Sequence, residues 1–93
     1  MHQTTFQGAK IQEQGVTFAI VSVQPYVLAN PDKTEANRII ASFQLRVFPG
    51  VPVILMAQDP RNIPTYYGRH DIARFLSTVP AQNIPWQHFT INE

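Results

Sequence analysis

The chain has 93 residues, a formal net charge of +1 and no cysteine. A chain this short buries only a little over ~60% of the surface that it exposes when unfolded, so residues 1–93 are expected to form one domain. The lack of cysteine excludes disulfides, thiolate catalysis and cysteine-ligated metal centres. The nearly balanced charge argues against binding to nucleic acid or to an anionic membrane surface.

The first two predicted elements are strands that form a hairpin. Residues 4–13 alternate loosely between polar and apolar side chains, which is typical of a partly exposed edge strand. After a turn at Gln14-Gly15, residues 16–23 carry apolar side chains at both odd and even positions. Because successive side chains of a strand point to opposite faces, this second strand is expected to be covered on both faces.

A helix is predicted after a connection at residues 25–31. Asp32 and Glu35 have the spacing at which two side chains satisfy the free amides of a helix start. Apolar residues then follow at helical intervals, namely Ala36, Ile39, Ile40, Phe43 and Val47. The end of the helix is ambiguous, because residues 43–48 also alternate as a strand would. We expect helix through about Leu45.

The second half of the chain predicts another hairpin, a helix and a last strand. Residues 51–58 are again apolar at both odd and even positions, and a proline-rich loop separates them from a short aromatic strand at residues 65–67. Apolar residues recur at helical spacing over residues 71–79, and Pro80 stops this helix. Residues 86–91 alternate and predict a final strand at a sheet edge.

The predicted order is β-β-α-β-β-α-β, which indicates an α/β fold, with α+β as the alternative. Two strands covered on both faces and joined by a helix are most easily placed side by side in parallel. The expected architecture is a small mixed sheet of about five strands with two helices packed on it. Two helices cannot cover both faces fully, so either they lie on opposite faces and leave gaps, or a second subunit covers one face.

Residues 48–79 resemble the second half of thioredoxin-like domains, in which a Gly-x-Pro-type turn leads into an apolar strand, a hairpin partner and a last helix. The corresponding segments are Gly50-Val51-Pro52 and residues 53–58, 65–68 and 71–79. The resemblance covers about a third of the chain. It implies a cis proline at Pro52, whereas the ~5% frequency of cis bonds before proline favours trans. Without cysteine, no redox residue can be carried over from that family.

The densest group of chemically capable side chains begins at Asp59, just past the carboxyl end of a buried strand, where open α/β sheets usually bind ligands. Arg69 and His70 lie near a helix start, whose free amides can receive an anion. A small enzyme or anionic-ligand-binding domain would use Asp59 or His70 as acid or base and Arg69 as the anion anchor. The expected ligand-binding residues are Tyr66, Tyr67, Arg69 and Asp71.

Ordinary structural roles explain the same residues better. Asp71 occupies a normal helix-start position and can pair with Arg74, and Asp59-Pro60 is typical of a turn. Two adjacent tyrosines in a strand point to opposite faces. The three histidines, His2, His70 and His88, lack the short spacings of a metal motif, so we expect no metal site and no cofactor.

The function that the sequence favours is a non-enzymatic protein-interaction domain, either a homodimer or a module that docks to a partner protein. Only 14% of the residues are charged, and Tyr66 and Trp86 are aromatic residues of the kind that anchor interfaces. This interpretation expects Tyr66 or Trp86 to be exposed in the monomer. The sequence has no secretory signal and no apolar run near the ~20 residues of a membrane-spanning helix, so a cytoplasmic protein is expected.

Overall fold

The computed structural model describes residues 3–13 and 15–92. These residues form five strands, β1 Gln3–Glu13, β2 Val16–Ser22, β3 Val53–Gln58, β4 Pro64–Tyr67 and β5 Gln87–Asn92. The helices of the described chain are α1 Pro25–Ala29, α2 Thr34–Arg46 and α3 His70–Leu76, followed by a 3-10 turn at Ala81–Asn83. The strands make one sheet in the order β4-β3-β2-β1-β5. The predicted class, a five-stranded mixed sheet with helices packed on it, is confirmed.

The sheet is mixed because β2 and β3 are parallel while the other neighbouring strands are antiparallel. α1 and α2 form the connection between the parallel pair, where the sequence predicts a single helix that corresponds to α2. The predicted edge position of the first strand is wrong, since β1 pairs with β2 on one side and with β5 on the other. The reason is long-range: the last strand of the chain returns to the free side of β1. β5 is at an edge, as predicted.

One face of the sheet, which we call the α2 face, is covered by α1 and α2. Val21 and Leu55 from the central strands pack there with Leu28 of α1 and with Ala36, the fully buried residue of α2. Aromatic rings extend this core towards β5, as the ring centres of Phe6 and Phe43 are 4.7 Å apart in an edge-to-face arrangement. These contacts fix α2 against the antiparallel half of the sheet.

The opposite face, the α3 face, is covered by α3 and the segment after it. Ile20 and Ile54 of the central strands pack against Ile72 and Leu76 of α3, and Ile84 completes this cluster. The helices therefore lie on opposite faces, and the chain itself buries both faces of β2 and β3. The expected gap is present as well. On the α3 face of β1 and β5, four polar residues are exposed, namely Thr5, Gln7, His88 and Thr90.

Residues 43–46 are helical, which settles the ambiguity at the end of α2. At its start, the Asp32 carboxylate accepts hydrogen bonds from the Thr34 amide at 2.9 Å and hydroxyl at 2.5 Å. These bonds hold the pKa of Asp32 below its ordinary value. Residues 25–29, expected in a connection, form the short helix α1, so the described chain has three helices rather than two.

The turn from β4 into α3 requires glycine. Gly68 has a φ of 152°, and a Cβ atom at this position would lie 2.6 Å from Ile54 Cδ1. Residues with a side chain rarely adopt such a backbone conformation, and Ile54 already fills the space that a Cβ atom would need. At this turn the chain has already returned along β4 to the beginning of β3. The peptide bond before Pro52, at the same end of the sheet, is trans.

Candidate functional site

A cleft of about 420 Å³ opens on the α2 face, and we call it the α2–β4 cleft. Its walls are α2, the beginning of β3, the end of β4 and the beginning of α3. The side chains that give it chemical character are Asn37, Ile40, Gln44, Tyr67, Arg69 and His70. Its volume is within the range of small-molecule sites, and its lining mixes polar and apolar groups as such sites do.

Tyr67 ties the strand side of the cleft to α2. Its hydroxyl donates a hydrogen bond to Oδ1 of Asn37 at 2.9 Å. The ammonium group of Lys33 lies 5.7 Å from the centre of the Tyr67 ring and also donates to the carbonyl of Leu28. A cation over an aromatic ring is stabilising. Tyr67 thus contacts both Asn37 and Lys33, and these contacts link α1, α2 and β4.

Arg69 does not offer a free guanidinium to a ligand. Its Nε and Nη2 atoms donate to the two carboxylate oxygens of Asp71, each at 2.9 Å. These hydrogen bonds hold the pKa of Asp71 below its ordinary value and raise the pKa of Arg69. Both side chains are exposed, so solvent screens their attraction. The predicted pairing of Asp71 with Arg74 is replaced by this bidentate contact, which occupies the expected anion anchor.

Asp59 lies at the other end of β3 from the α2–β4 cleft. Because β4 runs antiparallel to β3, Arg69 and His70 return to the beginning of β3, and a six-residue strand separates them from Asp59 by about 20 Å. The Asp59 carboxylate accepts hydrogen bonds from the backbone amides of Arg61 and Ile63, each at 2.9 Å. The structure therefore brings Arg69, His70 and Tyr67 together, and it leaves Asp59 in the turn role.

Tyr66 and Trp86 lie on the α3 face, and both are half-buried against its core. Tyr66 points away from Tyr67, as expected for neighbours in a strand. Its hydroxyl is buried and has no hydrogen-bond partner within residues 3–13 and 15–92. Burial raises the pKa of Tyr66, because water would solvate the phenolate better. Neither side chain is the fully exposed aromatic that the interface interpretation expects, and their contact with another chain stays a prediction.

The outer edge of β5 is the second candidate site. β5 is the last strand of the sheet, and no other strand of the described chain pairs with its outer side. Phe89 anchors it to the α2 face, where its ring centre lies 5.2 Å from that of Phe6 and 5.6 Å from that of Phe48. The residues Gln87–Asn92 include no charged residue and no proline.

No group of three or more His, Cys, Asp or Glu side chains in the described ranges is arranged to hold a metal ion. None of the helices in this part of the chain is long and apolar enough to cross a membrane. Comparison of the chain with protein-family models, with curated proteins and with solved structures gives no match.

Proposed function

We propose that the chain is a non-enzymatic protein-interaction domain whose site is the outer edge of β5. This edge accepts an extended strand of another polypeptide, from a second copy of the chain or from a partner protein. In an edge strand, every second residue directs both its N–H and its C=O group outward. A strand added there satisfies these groups, and main-chain hydrogen bonds supply the affinity.

The observation that supports this proposal is the contrast between the two edges of the sheet. Proteins commonly protect edge strands with charged residues, proline or very short length. β4 is four residues long and begins with Pro64, which has no N–H to donate. β5 has six residues and none of these protections. An uncharged edge strand of ordinary length that includes no proline is open to pairing with another chain.

The packing of Phe89 adds a second argument. Its ring is half-buried and stacks on Phe6 with an angle of 13° between the ring planes. β5 is thus already held in an extended conformation before a partner arrives. Ordering a free backbone costs about 1–2 kcal/mol per residue. At this edge only the incoming strand has to be ordered.

The α2–β4 cleft does not support the enzymatic alternative. A site built from Asp59, Arg69 and His70 needs the three side chains around one cavity. Asp59 lines a separate pocket at the far end of β3. Arg69 is engaged by Asp71 through two hydrogen bonds. Asn37 accepts the hydrogen bond of Tyr67, and the side-chain amide of Gln44 donates to the carbonyl of Val51 at 3.3 Å.

Strand addition can be tested with a six-residue peptide that copies β5, Gln87–Asn92, titrated into dilute isotope-labelled protein. We expect amide resonances of β5 to shift in NMR spectra and its outward amides to exchange more slowly with solvent. The amides of β4 serve as the control edge and should not respond. Because the incoming strand has to be ordered, millimolar peptide is appropriate.

N-methylated peptides make this test specific for main-chain pairing. A strand uses alternate amides on each of its two sides, so there are two alternating N-methylation patterns. One pattern should abolish the shifts at β5, and the other should preserve them. In protein that sediments as the monomer at the NMR concentration, unchanged β5 resonances at millimolar unmodified peptide would overturn the proposed function. Equal responses at β4 and β5 would do the same.

A further inference from the structure

We infer that the strand received at the β5 edge is β5 of a second copy, so that two chains join their sheets into one continuous sheet. This inference rests on the proposed function and names its partner. Antiparallel strands that are related by a two-fold axis are complementary to themselves, because each chain offers the same donors and acceptors. A homodimer of this kind has one closed interface and does not grow further at that edge.

The symmetry determines which residues meet. A two-fold axis perpendicular to the sheet keeps each face continuous, so only residues on the same face can lie opposite each other. With the axis at Phe89, this residue lies opposite itself on the α2 face, next to Phe6 of its own chain. His88 then lies opposite Thr90 of the second copy on the α3 face. Aromatic and polar pairs of this type stabilise antiparallel strands.

The lack of charged residues at this edge supports a second copy as the partner. The end of the sheet formed by residues 3–8 of β1 and residues 87–92 of β5 includes no charged residue. Identical chains place like charges opposite each other across a two-fold axis, so a charged edge would disfavour a homodimer. This edge has no such repulsion. It also has no charge with which to select a charged partner of another kind.

Sedimentation equilibrium at micromolar concentration tests the inference. The wild-type chain should sediment at twice its monomer mass of 10.6 kDa. The double variant His88→Lys/Thr90→Lys should sediment as the monomer, because lysines at positions 88 and 90 face each other across the two-fold axis. The double variant Thr5→Lys/Gln7→Lys is the matched control, since these exposed residues lie beside Thr90 and His88 on the interior strand β1. It should remain dimeric.

Cysteine pairing tests the register directly, since the natural chain has no cysteine. A mixture of His88→Cys and Thr90→Cys chains should form the mixed disulfide in preference to either symmetric one, because these positions lie opposite each other. Disulfides require Cα atoms about 4.4–6.8 Å apart. A mixture of Thr5→Cys and Gln7→Cys chains should remain unlinked, because β1 lies one strand further from the axis in each copy.

Three results would overturn the inference. These are a wild-type chain that sediments as the monomer, a dimer that persists in the His88→Lys/Thr90→Lys variant, and symmetric disulfides in place of the mixed one. Circular dichroism and thermal unfolding of each variant show whether it is folded. A monomeric wild-type chain whose β5 still binds the peptide would refute the homodimer alone. Loss of peptide binding as well would refute the proposed function.

Discussion

The hydroxyl of Tyr66 shows how a single residue can reduce the stability of the fold. It is buried on the α3 face, where Met56 lies opposite Tyr66 in the strand register, and it has no hydrogen-bond partner in the described part of the chain. A buried polar group without a partner costs about 1–3 kcal/mol relative to its hydrated state. The ring itself packs against the core of this face. Removing only the oxygen keeps the packing and relieves the penalty.

We therefore expect Tyr66→Phe to raise the free energy of unfolding by about 1 kcal/mol at neutral pH. The raised pKa of Tyr66 means that the unfolded chain loses this proton first, so stability falls as the pH rises above the ordinary value of 10.0. The variant should lose less stability than the wild type over that alkaline range. Urea unfolding at neutral and alkaline pH measures both effects.

Tyr26→Phe is the matched control, since Tyr26 is 72% exposed and its hydroxyl can be hydrated. This variant should unfold at the same urea concentration as the wild type at neutral pH. If Tyr66→Phe proves destabilising there, the hydroxyl of Tyr66 is not an unsatisfied buried group.

At the scale of the element, the packing of α2 on the sheet depends on a few contacts. Ala36 is its fully buried residue, and the other core-facing side chains of the helix are half-buried. Phe43 reaches Phe6 of β1, with the ring centres 4.7 Å apart. Leu45, two residues further along, points into solvent and is 80% exposed. The two positions differ in packing although both are large apolar residues of one helix.

Phe43→Ala is expected to lower the free energy of unfolding by about 2 kcal/mol, below the range for a fully buried phenylalanine. Leu45→Ala should change it by less than about 0.5 kcal/mol, because the side chain makes few contacts to lose. Chemical denaturation followed by circular dichroism measures both. Similar losses for the two variants would contradict the orientation of α2.

At the scale of the whole molecule, the two cores share the strands between them. Ile54 and Leu55 are adjacent residues of β3, both fully buried, and they point to opposite faces. Successive buried residues of β2 also point to opposite faces. Neither face can lose its packing without exposing strands on which the other face depends. We therefore expect residues 1–93 to unfold as one cooperative unit.

Leu55→Ala tests this expectation, because it removes packing on the α2 face while Trp86, the single tryptophan, reports on the α3 face. A buried leucine truncated to alanine costs about 2–5 kcal/mol. Trp86 fluorescence and far-ultraviolet circular dichroism should shift together to lower denaturant concentration. Ile54→Ala on the other face should behave in the same way. A Trp86 fluorescence transition of Leu55→Ala at the same denaturant concentration as in the wild type would show that the two cores unfold separately.

Much of the fold could be predicted because burial leaves a local pattern. β2, β3 and α3 were identified from apolar spacing alone, since each of them is covered in a way that its own residues encode. The end of α2 is less clear from spacing, because Phe43, Leu45 and Val47 fit both a helix and a strand, although the expected helix through about Leu45 agrees with its end at Arg46. In the helix, Phe43 packs against Phe6, which comes from a distant part of the chain.

In the candidate sites, too, sequence neighbours can be predicted to lie together, whereas contacts between distant residues cannot. Tyr67, Arg69 and His70 line one cleft, and their closeness in sequence already indicates that they lie near one another. Asn37 was missed, because its partner Tyr67 is 30 residues away and the spacing shows no trace of the contact. Lys33 was missed for the same reason. The resemblance of residues 48–79 to thioredoxin-like domains stays a prediction.

The sequence by itself determined the mixed α/β class, the parallel pair at the centre and the uncharged character of the last strand. Only the tertiary structure decided that β1 is interior, that Asp59 is remote from Arg69, and that β1 is the neighbour of the edge strand β5. The physical reason is that side-chain periodicity records how a segment is buried, whereas strand order depends on hydrogen bonds between segments far apart in the chain.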